Sequence, residues 1–354
     1  MLMTPGPTEV PPAVRERMSE PMPNPDVDPA FRDLYRDVTD KLATVYGTDD
    51  DLVVMGGEGI LGLEAAVASL VSEGDDVLCL SNGLYGDGFA DFVEMYGGEV
   101  TTCDVPPTEL LDAEAVKEAL DGESFDVATM VHCETPTGTL NDLDEILGAL
   151  DDAGVLTVVD AVSSLGGARV PDEGVDVCCS ASQKCFSAPP GLTTLSVSDD
   201  AWAAVRESDA PSFYAHLGPW DDVVHGDAQF PYTQLPATVA ALDEALDLLL
   251  DEGLANVRER HANVAAYCRE RARDLDLSLF PDAEAYCSPT VTALHVPGQA
   301  RRLQERLADE HDVVLSTGLG PYEDDVLRVG HMGYGADREK VARTMDALAA
   351  VLDD

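Results

Sequence analysis

Short apolar runs rich in valine and leucine alternate with helical stretches between about residues 33 and 198, and this alternation restricts the chain more than any other feature. Residues 52–55, 76–80, 100–105, 127–133, 156–159, 175–179 and 192–197 read as strands, the last closing the series. Helices are expected over about 30–46, 61–71, 89–96, 112–120 and 142–153. The strand runs are continuous rather than alternately apolar and polar, as expected where both faces of a parallel sheet are covered. The fold class is therefore α/β, a large domain with a mostly parallel seven-stranded sheet covered by helices. A loop-rich zone at about 208–236 leads into a long amphipathic helix at 237–250. From Gly253 onward helix, strand, helix, strand and helix suggest a smaller C-terminal α+β domain. The first 30 residues hold eight prolines and read as an extended arm. The expected division is an arm at 1–30, a large domain at 31–252 and a small one at 253–354.

The chain has 354 residues, 45% of them hydrophobic, enough for a large core despite a net charge of −47 from 68 acids against 21 lysines and arginines. That charge excludes nucleic acid and anionic membrane surfaces as partners. Most of the acids read as a solvation device, as in halophilic proteins adapted to concentrated salt, where screening removes self-repulsion. The eight cysteines contain no C-x-x-C pair and mostly lie in apolar strand-like runs, which reads as reduced thiols in a cytoplasmic protein, with neither disulfides nor a metal site. No secretory leader opens the chain and no apolar stretch approaches membrane-spanning length, so a soluble, intracellular protein is expected.

Ligands of open parallel sheets sit beyond the carboxyl ends of the strands. The first strand ends in Gly56-Gly57-Glu58-Gly59-Ile60, where backbone N–H groups at a helix start can cradle an anion or simply make the turn. Glu58 opposes an exposed anion there unless its side chain points away. Tyr85, between glycines after the second strand, can offer a ring face to a flat heterocycle or sit half-buried in a loop. Thr135 follows His132-Cys133-Glu134 and is placed to donate to a ligand oxygen or to cap the turn; His132 reads as a core histidine. Asp160 ends an apolar strand with no basic residue before Arg169, so it needs a cation or several donors. Lys184 follows another apolar strand with no carboxylate between Val177 and Ser198. The other three lysines, Lys41, Lys117 and Lys340, all adjoin acids. A lysine without a counter-ion at a buried strand end has a lowered pKa, which suits Schiff-base chemistry with a carbonyl cofactor. An anion cradle, an aromatic plate, a hydroxyl, a buried carboxylate and a desolvated lysine together meet the needs of pyridoxal phosphate.

With these residues in hand the chain resembles the class V, fold-type I aminotransferases of the alanine–glyoxylate and serine–pyruvate kind, from Thr4-Pro5-Gly6-Pro7-Thr8 to Arg328-Val329-Gly330. The most specific segments are 159–167 and 182–191. The resemblance implies that Lys184 carries pyridoxal 5'-phosphate as a Schiff base, Asp160 pairs with the pyridinium, Tyr85 stacks on the ring and Thr135 reaches a ring substituent. It further implies that Gly59, Ile60 and Gln183 hold the phosphate, completed across a homodimer by Thr233, that Arg328 clamps the substrate carboxylate, and that Gly6 lies near the substrate. The implied reaction moves an amino group from a small amino acid (alanine or serine) to a small 2-oxo acid (glyoxylate or pyruvate).

Three positions depart from the family's pattern. Phe230 replaces a phosphate-touching tyrosine, Glu58 and Ile60 replace a serine and a histidine, and Asp26-Val27-Asp28 stands where relatives carry His-Arg near the active-site mouth. Rival activities on the same scaffold are aspartate or aminoethylphosphonate transamination and cysteine desulfuration, the last opposed by Gln183 where a histidine is usual. A nucleotide-binding α/β protein without catalysis is the non-enzymatic alternative, and it leaves Lys184 and Asp160 without a purpose.

Overall fold

The computed structural model describes residues 1–208, 210–226 and 228–352. The arm is not extended throughout: α1 (Pro12–Arg17) forms in it because Pro12, at the start of a helix, lacks only an N–H that has no intrahelical partner there. Helix α2 (Pro29–Tyr46) is capped by the Asp28 carboxylate, which accepts from Ala30 N–H at 3.0 Å. It buries Phe31, Leu34, Tyr35, Val38, Leu42 and Val45 at helical spacing, each contributing about 1.5–3 kcal/mol on full burial.

The alternating segment then runs β1 (Asp51–Gly56), α3 (Gly59–Leu70), β2 (Asp76–Ser81), α4 (Leu84–Met95), β3 (Glu99–Asp104), α5 (Ala113–Gly122) and β4 (Val127–Val131). A two-residue ribbon, β5 (Cys133–Glu134) and β6 (Thr139–Leu140), precedes α6 (Asp144–Ala153), β7 (Leu156–Asp160), β8 (Val177–Ala181) and β9 (Leu192–Val197). Seven strands form one sheet in the order β1-β9-β8-β7-β4-β2-β3. Alternate side chains enter two cores: Val127 and Val131 pack on one face, Ala128 and Met130 on the other. Both faces of the sheet are covered, as the continuous apolar runs require.

The sequence places β9 at the end of the series, but it lies inside the sheet, antiparallel to both β1 and β8. The connection through Ser182–Gly191 is too short for the crossover a parallel neighbour needs, so the chain turns straight back. That return loop carries Gln183 and Lys184.

Two helices escaped the sequence reading: α7 (Asp199–Glu207), capped by Ser198, and α8 (Gly218–Val224) inside the expected loop zone. Trp220 of α8 is fully buried and meets Tyr35, Phe230 and Tyr232, an aromatic cluster that orders this stretch. After α9 (Pro236–Glu252) and α10 (Leu254–Asp274), β10 (Ser278–Leu279), β11 (Val291–His295), β12 (Ser316–Thr317) and β13 (Val326–Gly330) make an antiparallel sheet in the order β10-β11-β13-β12. It packs with α10, α11 (Ala300–His311) and α12 (Arg338–Leu352) around its own core, to which Met3 of the arm contributes. All eight cysteines are free thiols, six of them buried. Among the described residues no helix is long and apolar enough to cross a membrane.

Candidate active site

The carboxyl ends of β1, β2, β4, β7 and β8 share one edge of the sheet, and a cleft of about 280 Å³ opens there. Gly6, Gly59, Ile60, Tyr85, Thr135, Asp160, Gln183 and Lys184, all expected from the sequence, line it. Asp160 is the last residue of β7, in register with Cys179 of β8, and Lys184 stands three residues past the end of β8. The arm closes the cleft from the other side. Met3 bonds Val314 and Gly330, and Thr8 N–H donates to the Gln183 carbonyl at 3.0 Å. Thr8 Oγ1 donates to the Lys184 carbonyl at 3.2 Å. Between these anchors the Lys184 ammonium donates to the Pro5 carbonyl at 2.9 Å and its aliphatic stem lies against Gly6.

Burial decides the electrostatics. Asp160 is 5% exposed and its carboxyl is pushed up to about 6 by desolvation, opposed by the Val162 N–H at 2.8 Å and by the charge of Lys184. Lys184 is lowered by desolvation, against the attraction of Asp160 and with the repulsion of Arg328. Each group attracts the other, yet both move toward neutrality, because burial outweighs their attraction. Arg169, the nearest basic residue in sequence, turns away to Asp144 at 3.1 Å. Burial also raises the Tyr85 phenol.

Arg328 is outside the cleft lining but next to it: buried on β13, it donates through Nε to the Thr317 carbonyl at 2.6 Å and through Nη1 to the Thr135 carbonyl at 3.4 Å. Burial lowers its pKa to about 10. Thr233 is not in this cleft; it is exposed, and its hydroxyl donates to Asp26 at 3.3 Å. Phe230 packs its ring against Phe31 and Tyr35, at 5.5 and 4.9 Å between centroids. Arg32 lies against the Phe230 ring and bonds the Ala228 carbonyl, and Arg36 lies near Asp33. His132 is buried with Nδ1 2.9 Å from Ser164 Oγ, and burial lowers it to about 4.

Sequence reasoning passed over Ser163, which lines the cleft and accepts the Thr135 hydroxyl; of two adjacent serines, Ser163 faces Thr135 and Ser164 faces His132. It also passed over Glu134, a fully buried carboxyl beneath the start of α4 that accepts from the N–H groups of Tyr85 (3.1 Å) and Gly86 (3.4 Å). A β-carbon at Gly83 would stand 2.6 Å from Glu134 Cγ, so only glycine fits there. The signal was a charged residue in the segment His132-Cys133-Glu134.

The donor set fits pyridoxal phosphate at its ring. An amine, a carboxyl, a ring face and a hydroxyl converge, and Gln183 adds a buried Oε1 with no protein partner. At the phosphate end the fit is strained: Glu58 does not point away, but caps α3 by accepting from Ile60 N–H at 3.1 Å, and it lines the cleft.

Comparison with known proteins agrees with this geometry. The family model described as aminotransferase class-V matches residues 2–322. Pyridoxamine–pyruvate transaminase of Mesorhizobium japonicum is 35% identical over 93% of this chain and 85% of that protein. Alanine–glyoxylate aminotransferase of Rattus norvegicus is 30% identical over 99% of this chain and 87% of that one. The solved structure of ureidoglycine–glyoxylate aminotransferase from Bacillus subtilis superposes with a TM-score of 0.95 at 29% identity, covering 99% of this chain and 92% of that one. Sequence, sheet topology and the residues of the cleft thus agree, and the chain belongs to the class-V aminotransferases, enzymes that work with pyridoxal phosphate.

Proposed function

We propose that this aminotransferase moves an amino group from a small amino acid, alanine or serine, to a small 2-oxo acid, glyoxylate or pyruvate. The observation that carries the reading is the convergence of Lys184 and Asp160 in one cleft, each pushed by burial toward its uncharged form. Bound there, pyridoxal phosphate supplies a carbonyl that exchanges with amines and a protonated ring that withdraws electrons from the bond broken at the substrate Cα. Lys184 is the amine placed to hold that carbonyl, and its free Nζ would accept the substrate Cα proton and deliver it to the carbonyl-derived carbon on the far side of the nitrogen. Asp160 holds the proton on the ring nitrogen, and a cation brought against its carboxylate lowers its pKa from the raised value. Tyr85 would offer its ring face to the cofactor, and Thr135, whose hydroxyl donates to Ser163 in this structure, would have to turn its proton from Ser163 to reach a ring substituent. Gly59, Ile60 and Gln183 line the end of the cleft where a phosphate would sit, with Ile60 N–H held by Glu58.

Two carbonyls fix the Arg328 guanidinium without neutralising it, so its charge remains for the substrate carboxylate, with Gly6 beside it. Among the described residues no arginine lines the cleft itself, and Arg328 stands next to it, which favours monocarboxylates over aspartate. Thr233, exposed and outside the lining of its own cleft, would complete the site of a second protomer in a homodimer. The remaining parts of the reading are a division into arm, large and small domains near residues 30 and 253, a cytoplasmic location, and salt adaptation through the acidic surface. A second donor, pyridoxamine, is supported by Glu58 in the cleft and by the name of the Mesorhizobium relative.

Borohydride reduction of the yellow protein, followed by peptide mapping, should place the reduced label on Lys184. Lys184→Ala should abolish turnover while still binding the cofactor. A donor panel against glyoxylate, pyruvate and 2-oxoglutarate in high salt then identifies the pair. Label on another lysine, or wild-type turnover in the alanine variant, would end this reading.

A further inference from the structure

We propose that Glu58 makes this cleft favour a vitamin B6 ring without its phosphate, because its carboxylate holds the helix start a phosphate needs and offers an acceptor to a neutral hydroxymethyl group. The inference rests on the reading that the cleft takes a B6 ring, and it specifies what occupies the far end of that ring.

Two of the donors at the start of α3 are already engaged. Ile60 N–H is taken by the Glu58 carboxylate at 3.1 Å, and Leu61 N–H by the Glu58 carbonyl at 2.9 Å. A phosphate arriving here meets an acceptor-only group bonded to a donor it requires. Phosphate and carboxylate have no proton to share, so they cannot bond each other, whereas a hydroxymethyl O–H donates to Glu58 directly. Nearby charge gives the phosphate little help. Among the described residues that line the cleft, Lys184 is the only lysine or arginine, and it lies at the aldehyde end of the proposed ring position. Residues 230–233, the stretch expected to complete the phosphate site from a second protomer, contain no lysine, arginine or histidine.

A ligand at this end is indicated independently of the helix. Gln183 lines the same cleft, is 5% exposed, and leaves its Oε1 buried without a partner. An amide can turn either its oxygen or its nitrogen to a ligand, so Gln183 marks the position without choosing the charge. Glu58 chooses it. Glu58 also acts on the rest of the site, since its charge is among those that raise Asp160 and Tyr85. Concentrated salt shortens electrostatic reach to about 3 Å at 1 M, but it supplies no hydrogen between two acceptors, so the discrimination persists where this acidic protein is folded.

The test compares pyridoxamine with pyridoxamine 5'-phosphate, which share a ring and form no covalent bond with lysine. The full chain, freed of bound vitamer by dialysis, is titrated with each by ring fluorescence, in one salt concentration at which wild type, Glu58→Gln and Glu58→Ser are all folded by circular dichroism. Serine retains an oxygen able to cap the helix, so the two variants separate charge from capping. Wild type should bind pyridoxamine at least as tightly as its phosphate. Both variants should tighten the phosphate form by on the order of tenfold or more, and change pyridoxamine by less than about threefold. Wild type binding the phosphate form much more tightly, or variants that leave the ratio of the two Kd values unchanged, overturns the inference and leaves the B6 reading intact. Failure of both vitamers to bind any of the three proteins overturns both.

Discussion

Replacing Gly6 by alanine tests whether the arm sets the position of the Lys184 amine. A β-carbon on Gly6 would lie 2.4 Å from Lys184 Cδ and 2.7 Å from both Cε and Nζ, on a residue whose φ is +108°. Ordinary contact begins at 3.4 Å, so about 1 Å of displacement is required. The colliding atoms are the far end of a flexible side chain, so the fold yields cheaply and the amine is what moves. The backbone strain should cost about 1–3 kcal/mol of stability. A misplacement of about 1 Å at a reacting atom is worth about 100-fold in rate. Gly6→Ala should therefore fold and unfold a few degrees below wild type, yet turn over about 100-fold more slowly, with borohydride labelling of Lys184 slowed in parallel. Gly148→Ala is the control. Gly148 lies in α6 with nothing within 4 Å of the added carbon, so that variant should keep full activity and gain up to about 1 kcal/mol. A folded Gly6→Ala enzyme with kcat within about threefold of wild type refutes the reasoning.

Other substitutions probe the remaining groups. Asp160 has a folded pKa raised to about 6 from 3.8, so the wild type escapes the burial penalty below pH 3.8, takes it up between 3.8 and 6 and bears it fully above. Asp160→Asn should then stabilise the cofactor-free protein by up to about 3 kcal/mol above pH 6, shown by a rise in Tm absent at pH 4, while activity falls by more than about 100-fold. A Tm gain equal at both pH values would refute the pKa argument. Arg328→Lys keeps the charge but loses the planar fork, so kcat/KM for both substrates should drop about 10–100-fold in steady-state assays; an unchanged value would remove Arg328 from carboxylate binding.

Most of the cleft was legible because a parallel sheet sends the loops that leave its strands to one edge. Finding the strands from their apolar runs was therefore enough to bring Tyr85, Thr135, Asp160 and Lys184 together. The direction of β9 was not legible, since apolarity carries no sign of direction and only the shortness of the 182–191 return decides it. Helix α8 was hidden for a different reason: seven residues with little periodicity are held by Trp220 in a cluster built with two other segments, a tertiary effect. The orientation of Glu58 was also hidden. Glutamate is not among the favoured N-cap residues, so nothing in Gly57-Glu58-Gly59 announces that its carboxylate folds back on Ile60 N–H.

The overall charge of −47 concealed a distinction that the structure makes plain. Surface acids such as Asp243 and Asp247 lie on exposed or half-buried helix faces and share Lys41, each at 2.6 Å. Asp160 in the cleft wall and Glu134 beneath it are both buried, their carboxyls raised to about 6 and about 8 by desolvation. Salt screens the first group and does little for the second, because ions cannot enter where water is excluded. A surface loaded with acids is therefore compatible with a cleft that keeps its own electrostatic logic. Its lining sets Glu58 and Asp160 against Lys184 alone, so the nitrogen end of an incoming ring finds a carboxylate waiting, and an anion finds its positive partner in Arg328 at the border. A ligand suited to this arrangement brings a protonated ring nitrogen to Asp160, a carbonyl to Lys184 and a carboxylate to Arg328. A B6 aldehyde with a free amino acid beside it would satisfy all three, whereas a nucleotide offers no carboxylate for Arg328 and no aldehyde for the lysine.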